Sequence, residues 1–158
     1  MVARIGIDFG GTIGWIENDD PFPHCISTLI ELKNIYGAEN IFIVSKAGLS
    51  IRDKILDWLK KHNFWEITGL LPDNVYFCTK YLEKAIICKE LHINVFIDDH
   101  IKIISSVATL KSMAFVIWFN KDVDIKLIPK EFRKKIIVSN QWNKIPKIFS
   151  KMRKWNML

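Results

Sequence analysis

The chain has 158 residues, 49% of them hydrophobic and 25% charged, and a net charge of +6. That apolar content buries enough surface to offset chain entropy, which excludes disorder, and the length leaves little room for two full domains. The longest apolar runs, such as Met113 to Phe119, fall far short of the roughly 20 residues that cross a bilayer, and no solenoid period is present. Residues 1–158 are therefore expected to form one soluble globular domain without a transmembrane segment.

In chain order, Ala3 to Asp8 reads as a strand built on Ile5 and Ile7. Asp8 interrupts this run too early for a secretory signal, so a cytoplasmic location is expected. His24 to Tyr36 has a helical period, with Cys25, Leu29, Leu32 and Tyr36 on one side and Gly37 as its stop. Asn40 to Ser45 is the second strand. Ser50 is the expected N-cap of the next helix, with Asp53 close to completing a capping box and Ile51, Ile55, Leu59 and His62 on the inner face. Three more strands follow at Val75 to Cys78, Asn94 to Asp98 and Met113 to Phe119, separated by helices at Tyr81 to Leu91 and Ile101 to Leu110. Residues 120–139 are less regular, with a short strand candidate at Ile136 to Val138. A last helix near Ile145 to Lys154 turns Ile145, Phe149 and Met152 inward, with Pro146 tolerated only in its first turn.

The five main strands have continuous apolar cores and alternate with helices, which is the pattern of a parallel sheet covered on both faces. The three cysteines, Cys25, Cys78 and Cys88, lie in apolar segments without metal-ligand spacing and read as buried thiols. Charge is unevenly placed: residues 126–158 carry ten Lys and Arg against one acidic residue, Glu131. This basic segment reads first as a solvated face, and nucleic acid is a conceivable polyanionic partner for it, with Trp142 and Trp155 beside its lysines.

In an open parallel sheet, ligands gather at the carboxyl ends of the strands, where loops and helix N-termini converge. Polar residues mark those ends here: Asp8 after the first strand, Ser45 at the end of the second, Asp98 with Asp99 at the fourth. Asp8 opens into Phe9, Gly10, Gly11 and Thr12, a backbone able to approach an anion, although a turn with a local Asp cap fits the same residues. Adjacent carboxylates at Asp98 and Asp99 repel unless a cation or a shared proton compensates them. Hard oxygen donors of this kind suit Mg²⁺, and a helix N-terminus is the alternative explanation.

Over residues 3–119, these segments resemble the haloacid dehalogenase-like (HAD) hydrolases. RIGIDFGGT is similar to the family's first motif, IFIVSKAG to the second, YLEKAIICKEL to the third and VFIDDH to the fourth. The resemblance implies a three-layer α/β/α Rossmann-like sandwich whose parallel five-stranded sheet has the order 5-4-1-2-3. It implies Asp8 as nucleophile, with Ser45 and Lys84 completing the catalytic set and Lys80 second to Lys84. It further implies Mg²⁺ held by Asp8, Asp98, Asp99 and the Gly10 carbonyl, phosphate contacts from Gly11, Thr12, Ser45, Lys46 and Lys84, and a phosphorylated substrate.

One position departs from the pattern: Gly10 stands where the family carries its general acid. Loss of a positioned acid typically costs on the order of 10²–10⁴-fold, so leaving groups that need a proton should be poor substrates. Glu17, Asp19, Asp20, His24 and His100 are candidates to substitute. The segments between motifs are too short for a cap domain, so the site is expected to be open. Two alternatives stand beside the hydrolase. One is a catalytically impaired module that binds phosphorylated or polyanionic partners. The other is an actin-like sugar kinase, whose phosphate loop RIGIDFGGT also resembles but whose two lobes need a far longer chain.

Overall fold

A computed structural model describes residues 2–155. The apolar runs become strands β1 (Ile5–Ile7), β2 (Ile41–Lys46), β3 (Val75–Cys78), β4 (Val95–Asp98) and β5 (Phe115–Trp118), and the short candidate becomes β6 (Ile136–Val138). All pair in parallel in the order β3-β2-β1-β4-β5-β6. The expected order is therefore present, and the expected five strands are corrected to six. β6 falls where the short strand was expected, and its residues are half-buried or exposed at the sheet's edge, unlike the fully buried β1, β4 and β5.

Alternate residues of each strand enter different layers. Ile5, Ile7, Ile41, Ile43, Val95 and Ile97 pack under α1 (Cys25–Tyr36), α2 (Leu49–Lys61), α3 (Phe64–Thr68) and α6 (Ile145–Lys154). Phe42, Val44, Phe96 and Val116 pack under α4 (Glu83–Glu90) and α5 (Ile101–Ala108). Two apolar faces explain the absence of strict alternation in the sequence. No helix among the described residues is long and apolar enough to cross a membrane.

Several local expectations need correction. Gly48, not Ser50, occupies the N-cap of α2, and no side chain caps it; Ser50 is already inside the helix. Ile51 does not turn into the core but is 37% exposed, and His62 is the C-cap, its ring stacked on Trp58. The loop expected after α2 contains α3, which ends at Gly69 in a left-handed conformation with φ of 70°. The cysteines are free and buried, as expected.

The C-terminal segment reaches back to the loop after β1. Trp142 is buried, and its indole N–H donates to the Thr12 carbonyl at 2.8 Å, while the Thr28 hydroxyl donates to the Trp142 carbonyl at 3.1 Å. This tryptophan is thus a core residue, whereas Trp155 is exposed. Trp142→Phe keeps an aromatic ring but leaves that carbonyl unpaired, so urea denaturation should show a loss of about 1–3 kcal/mol.

Candidate active site

Because every strand runs the same way, the residues that close β1, β2 and β4 meet on one edge. Asp8 follows β1 directly, and its backbone N–H donates to the Ile97 carbonyl at 2.9 Å, which fixes it beside β4. Asp98 is the last residue of β4 and is fully buried. Lys84, near the start of α4, is also fully buried, and its ammonium lies 2.7 Å from Asp8 Oδ1 and 2.7 Å from Asp98 Oδ2. The other Asp98 oxygen, Oδ1, accepts the His100 backbone N–H at 2.8 Å. Lys80 is exposed and takes no part in these contacts, so the geometry selects Lys84 between the two lysines.

Asp99 completes an acidic cluster with Asp8 and Asp98, in which one carboxylate oxygen from each lies within 4.8 Å of the others. A cavity of about 350 Å³ opens over this cluster, and Gly10, Ser45, Lys46 and Lys84 border it. Ser45 is buried within β2, while Lys46 is exposed and holds its ammonium 4.6 Å from the centre of the Tyr81 ring.

Gly11 and Thr12, expected as phosphate contacts, do not border the Asp8 cavity. Gly11 has φ of 74° and borders the neighbouring cavity instead; a Cβ there would land on the Asp99 carboxylate. Thr12 is fully buried behind the loop, and its hydroxyl has no partner among the described residues. Of the candidate proton donors named from the sequence, Glu17 and His100 border the Asp8 cavity. Asp19 instead pairs with Lys61 at 2.8 Å, Asp20 lines another part of the surface, and His24 borders the neighbouring cavity.

Sequence reasoning missed Tyr81 and Trp15. Tyr81 stacks on His100 with ring centroids 4.5 Å apart and forms part of the cavity wall. Its position three residues before Lys84 was a usable signal. Trp15 separates the two cavities, and nothing in its neighbourhood in the sequence marks it.

The electrostatics follow from burial. Burial opposes the Lys84 charge, yet Asp8 and Asp98 outweigh it and hold the ammonium protonated. Burial pushes the Asp98 carboxyl up, and the Asp8 charge adds to it, against the pull of Lys84 and the His100 N–H. Asp99 is raised to about 6, first by burial and then by Asp8. One ammonium against three carboxylates leaves negative charge uncompensated. The donors are all hard oxygens, and no backbone N–H among the described residues takes the Gly10 carbonyl. Asp8, Asp98 and Asp99 are thus a set of hard oxygen donors that fits a divalent cation such as Mg²⁺.

Asp99 binds its proton more tightly folded than unfolded, so without metal its contribution to stability is lost as pH rises from its ordinary value of 3.8 through about 6. Metal competes with that proton. The rise in Tm on adding Mg²⁺ should therefore be small near about pH 5 and larger near about pH 8, as differential scanning fluorimetry would show.

No family model and no curated protein sequence matches the chain. Among solved structures, a de novo designed Rossmann 3x3 fold protein, determined by solution NMR, is similar at a TM-score of 0.55 and 14% identity, over 94% of this chain and 93% of that one. At this identity the likeness concerns the fold: the chain is a Rossmann-like α/β protein with a parallel sheet.

Proposed function

We propose that the chain is a small, uncapped HAD-like hydrolase that uses Asp8 as a nucleophile on phosphoryl groups, restricted to leaving groups that depart without a proton. The observation that carries this reading is the buried Asp8–Lys84–Asp98 contact, with Lys84 2.7 Å from each carboxylate at the base of an open cavity. A structural role alone gives little reason for such a cluster. Buried charges cost several kcal/mol each unless geometry compensates them, and groups of this kind concentrate at sites that do chemistry.

Lys84 holds Asp8 Oδ1, which leaves Oδ2 without a partner among the described residues and able to attack phosphorus. As the Asp8–phosphorus bond forms, the bond to the leaving oxygen breaks and the leaving group takes its electron pair. Water then attacks phosphorus, the Asp8–phosphorus bond breaks, and inorganic phosphate departs with a proton released to solvent. Lys84 and the Ser45 hydroxyl offset the charge that gathers on the phosphoryl oxygens. Mg²⁺, held by Asp8, Asp98, Asp99 and the Gly10 carbonyl, would supply the remaining positive charge. Gly10 has no proton to give, which favours acyl phosphates, aryl phosphates and phosphoanhydrides over alkyl esters.

The test is phosphate release with Mg²⁺ from acetyl phosphate, an aryl phosphate and an alkyl phosphate. Turnover should be confined to the first two and be absent in Asp8→Asn. The absence of an acid at Gly10 also favours a second reading, a module that binds phosphorylated partners without turnover. Binding of inorganic phosphate with no release from any of the three compounds would select it.

A further inference from the structure

A second cavity, of about 700 Å³, adjoins the Asp8 site and shares Trp15 and Asp99 with it. We propose that this cavity is a nucleobase pocket, and that the substrate is a nucleoside di- or triphosphate whose terminal phosphoanhydride is cleaved. The proposal rests on the phosphoryl-hydrolase reading of the neighbouring cluster and names the group that the leaving side of its substrate carries.

Its construction favours a flat ring with a polar edge. Phe22, half-buried, and Phe119, buried, line it and stack on each other, 14° from parallel at 6.4 Å between centroids, and Trp15, 44% exposed at the boundary toward Asp8, offers the open aromatic face. Aromatic faces of this kind hold any planar ring. The segment after β6 contributes Asn140, Gln141 and Asn143 to the lining, all exposed. Among the described residues these three side chains make no hydrogen bond within the chain, although their backbones do at Gln141. Each amide offers a donor and an acceptor together, the combination that reads a base edge and that a simple phenyl ring would leave unused. Lys121 adds a cation to the lining, suited to the charge of an inner phosphate.

The anhydride follows from the other side of the junction. Gly10 offers no acid, and a nucleoside monophosphate ester would need one to protonate the departing sugar oxygen. In an anhydride, Asp8 bonds to the terminal phosphorus and the bridging P–O bond breaks. The nucleotide, one phosphate shorter, leaves with the electron pair. Water then returns Asp8 and releases inorganic phosphate. No oxidant or further reactant enters the balance.

The test separates base from phosphate. Adenosine, guanosine, cytidine and uridine are titrated against the full chain by intrinsic tryptophan fluorescence, with ribose 5-phosphate as a probe that lacks a base. Phosphate release from the four nucleoside diphosphates is compared with release from acetyl phosphate. At least one nucleoside should bind, and its diphosphate should be hydrolysed with a higher kcat/KM than acetyl phosphate. In Asn140→Ala and Asn143→Ala, exposed positions where folding is not at stake, nucleoside affinity should fall by about tenfold per lost hydrogen bond, and the kcat/KM ratio with it. If acetyl phosphate is hydrolysed but no nucleoside binds and no diphosphate is preferred, the pocket proposal is overturned and the hydrolase stands. If nucleosides bind and neither acetyl phosphate nor any diphosphate releases phosphate, the pocket is supported and the hydrolase reading fails.

Discussion

Gly10→Asp is expected to widen the range of substrates, raising turnover of alkyl phosphates by about 10²–10⁴-fold while changing that of acetyl phosphate far less. The backbone admits the change. Gly10 is not among the residues with positive φ, and a Cβ built there meets nothing closer than Trp15, at 3.6 and 3.9 Å. A carboxylate added at this point would border the cavity that already holds Asp8, and it could protonate a departing alkoxide. Gly11, one residue later, offers no such freedom: its φ is 74°, and a side chain would strike Asp99. The measurement is kcat/KM on an alkyl and an acyl phosphate for both proteins. An equal gain on both, or none on either, would show that proton donation does not limit the wild-type site.

Lys84→Met is expected to cost about 3–5 kcal/mol of stability near neutral pH and to abolish turnover together. The substitution preserves much of the buried volume but removes the ammonium that Asp8 and Asp98 share at 2.7 Å. Two carboxylates then remain, one fully buried and the other nearly so, without their compensating charge. Asp98, already pushed up by burial and by Asp8, should answer by taking a proton. The stability loss should accordingly shrink as pH falls, and Mg²⁺ should restore part of it at higher pH. Urea denaturation across pH, with and without Mg²⁺, reads both effects. A loss that is the same at every pH would assign Lys84 a packing role only.

The legible part of this protein was the part governed by local rules. Continuous apolar runs flagged β1 to β5 and, with the helices between them, a parallel sheet. Because parallel strands share one carboxyl edge, Asp8, Ser45 and Asp98 could be grouped before any contact was known. Lys84 was already preferred to Lys80 on the motif, and the structure adds the physical difference: Lys84 is fully buried, while Lys80 is exposed ahead of α4.

What escaped depends on contacts distant in the chain. Ile136 to Val138 was marked as a short strand, but its place as a sixth strand paired with β5 at the sheet's edge was not. Thr12 occupies a motif position, yet its carbonyl is claimed by Trp142, 130 residues away, which goes with its burial in the core. Ser50 has the composition of a cap, but the chain enters α2 two residues earlier at Gly48, whose extended φ of −70° and ψ of 169° set the start of the helix. The second cavity is assembled from the loops after β1, β4, β5 and β6, and no spacing in the sequence announces it.

The most direct test of an aspartate nucleophile is mass spectrometry of the protein mixed with Mg²⁺ and acetyl phosphate and quenched in acid during turnover. The expected result is one phosphoryl group on the peptide that contains Asp8, absent in Asp8→Asn along with phosphate release. Release at an undiminished rate by Asp8→Asn, with no adduct on that peptide in the wild type, would contradict it.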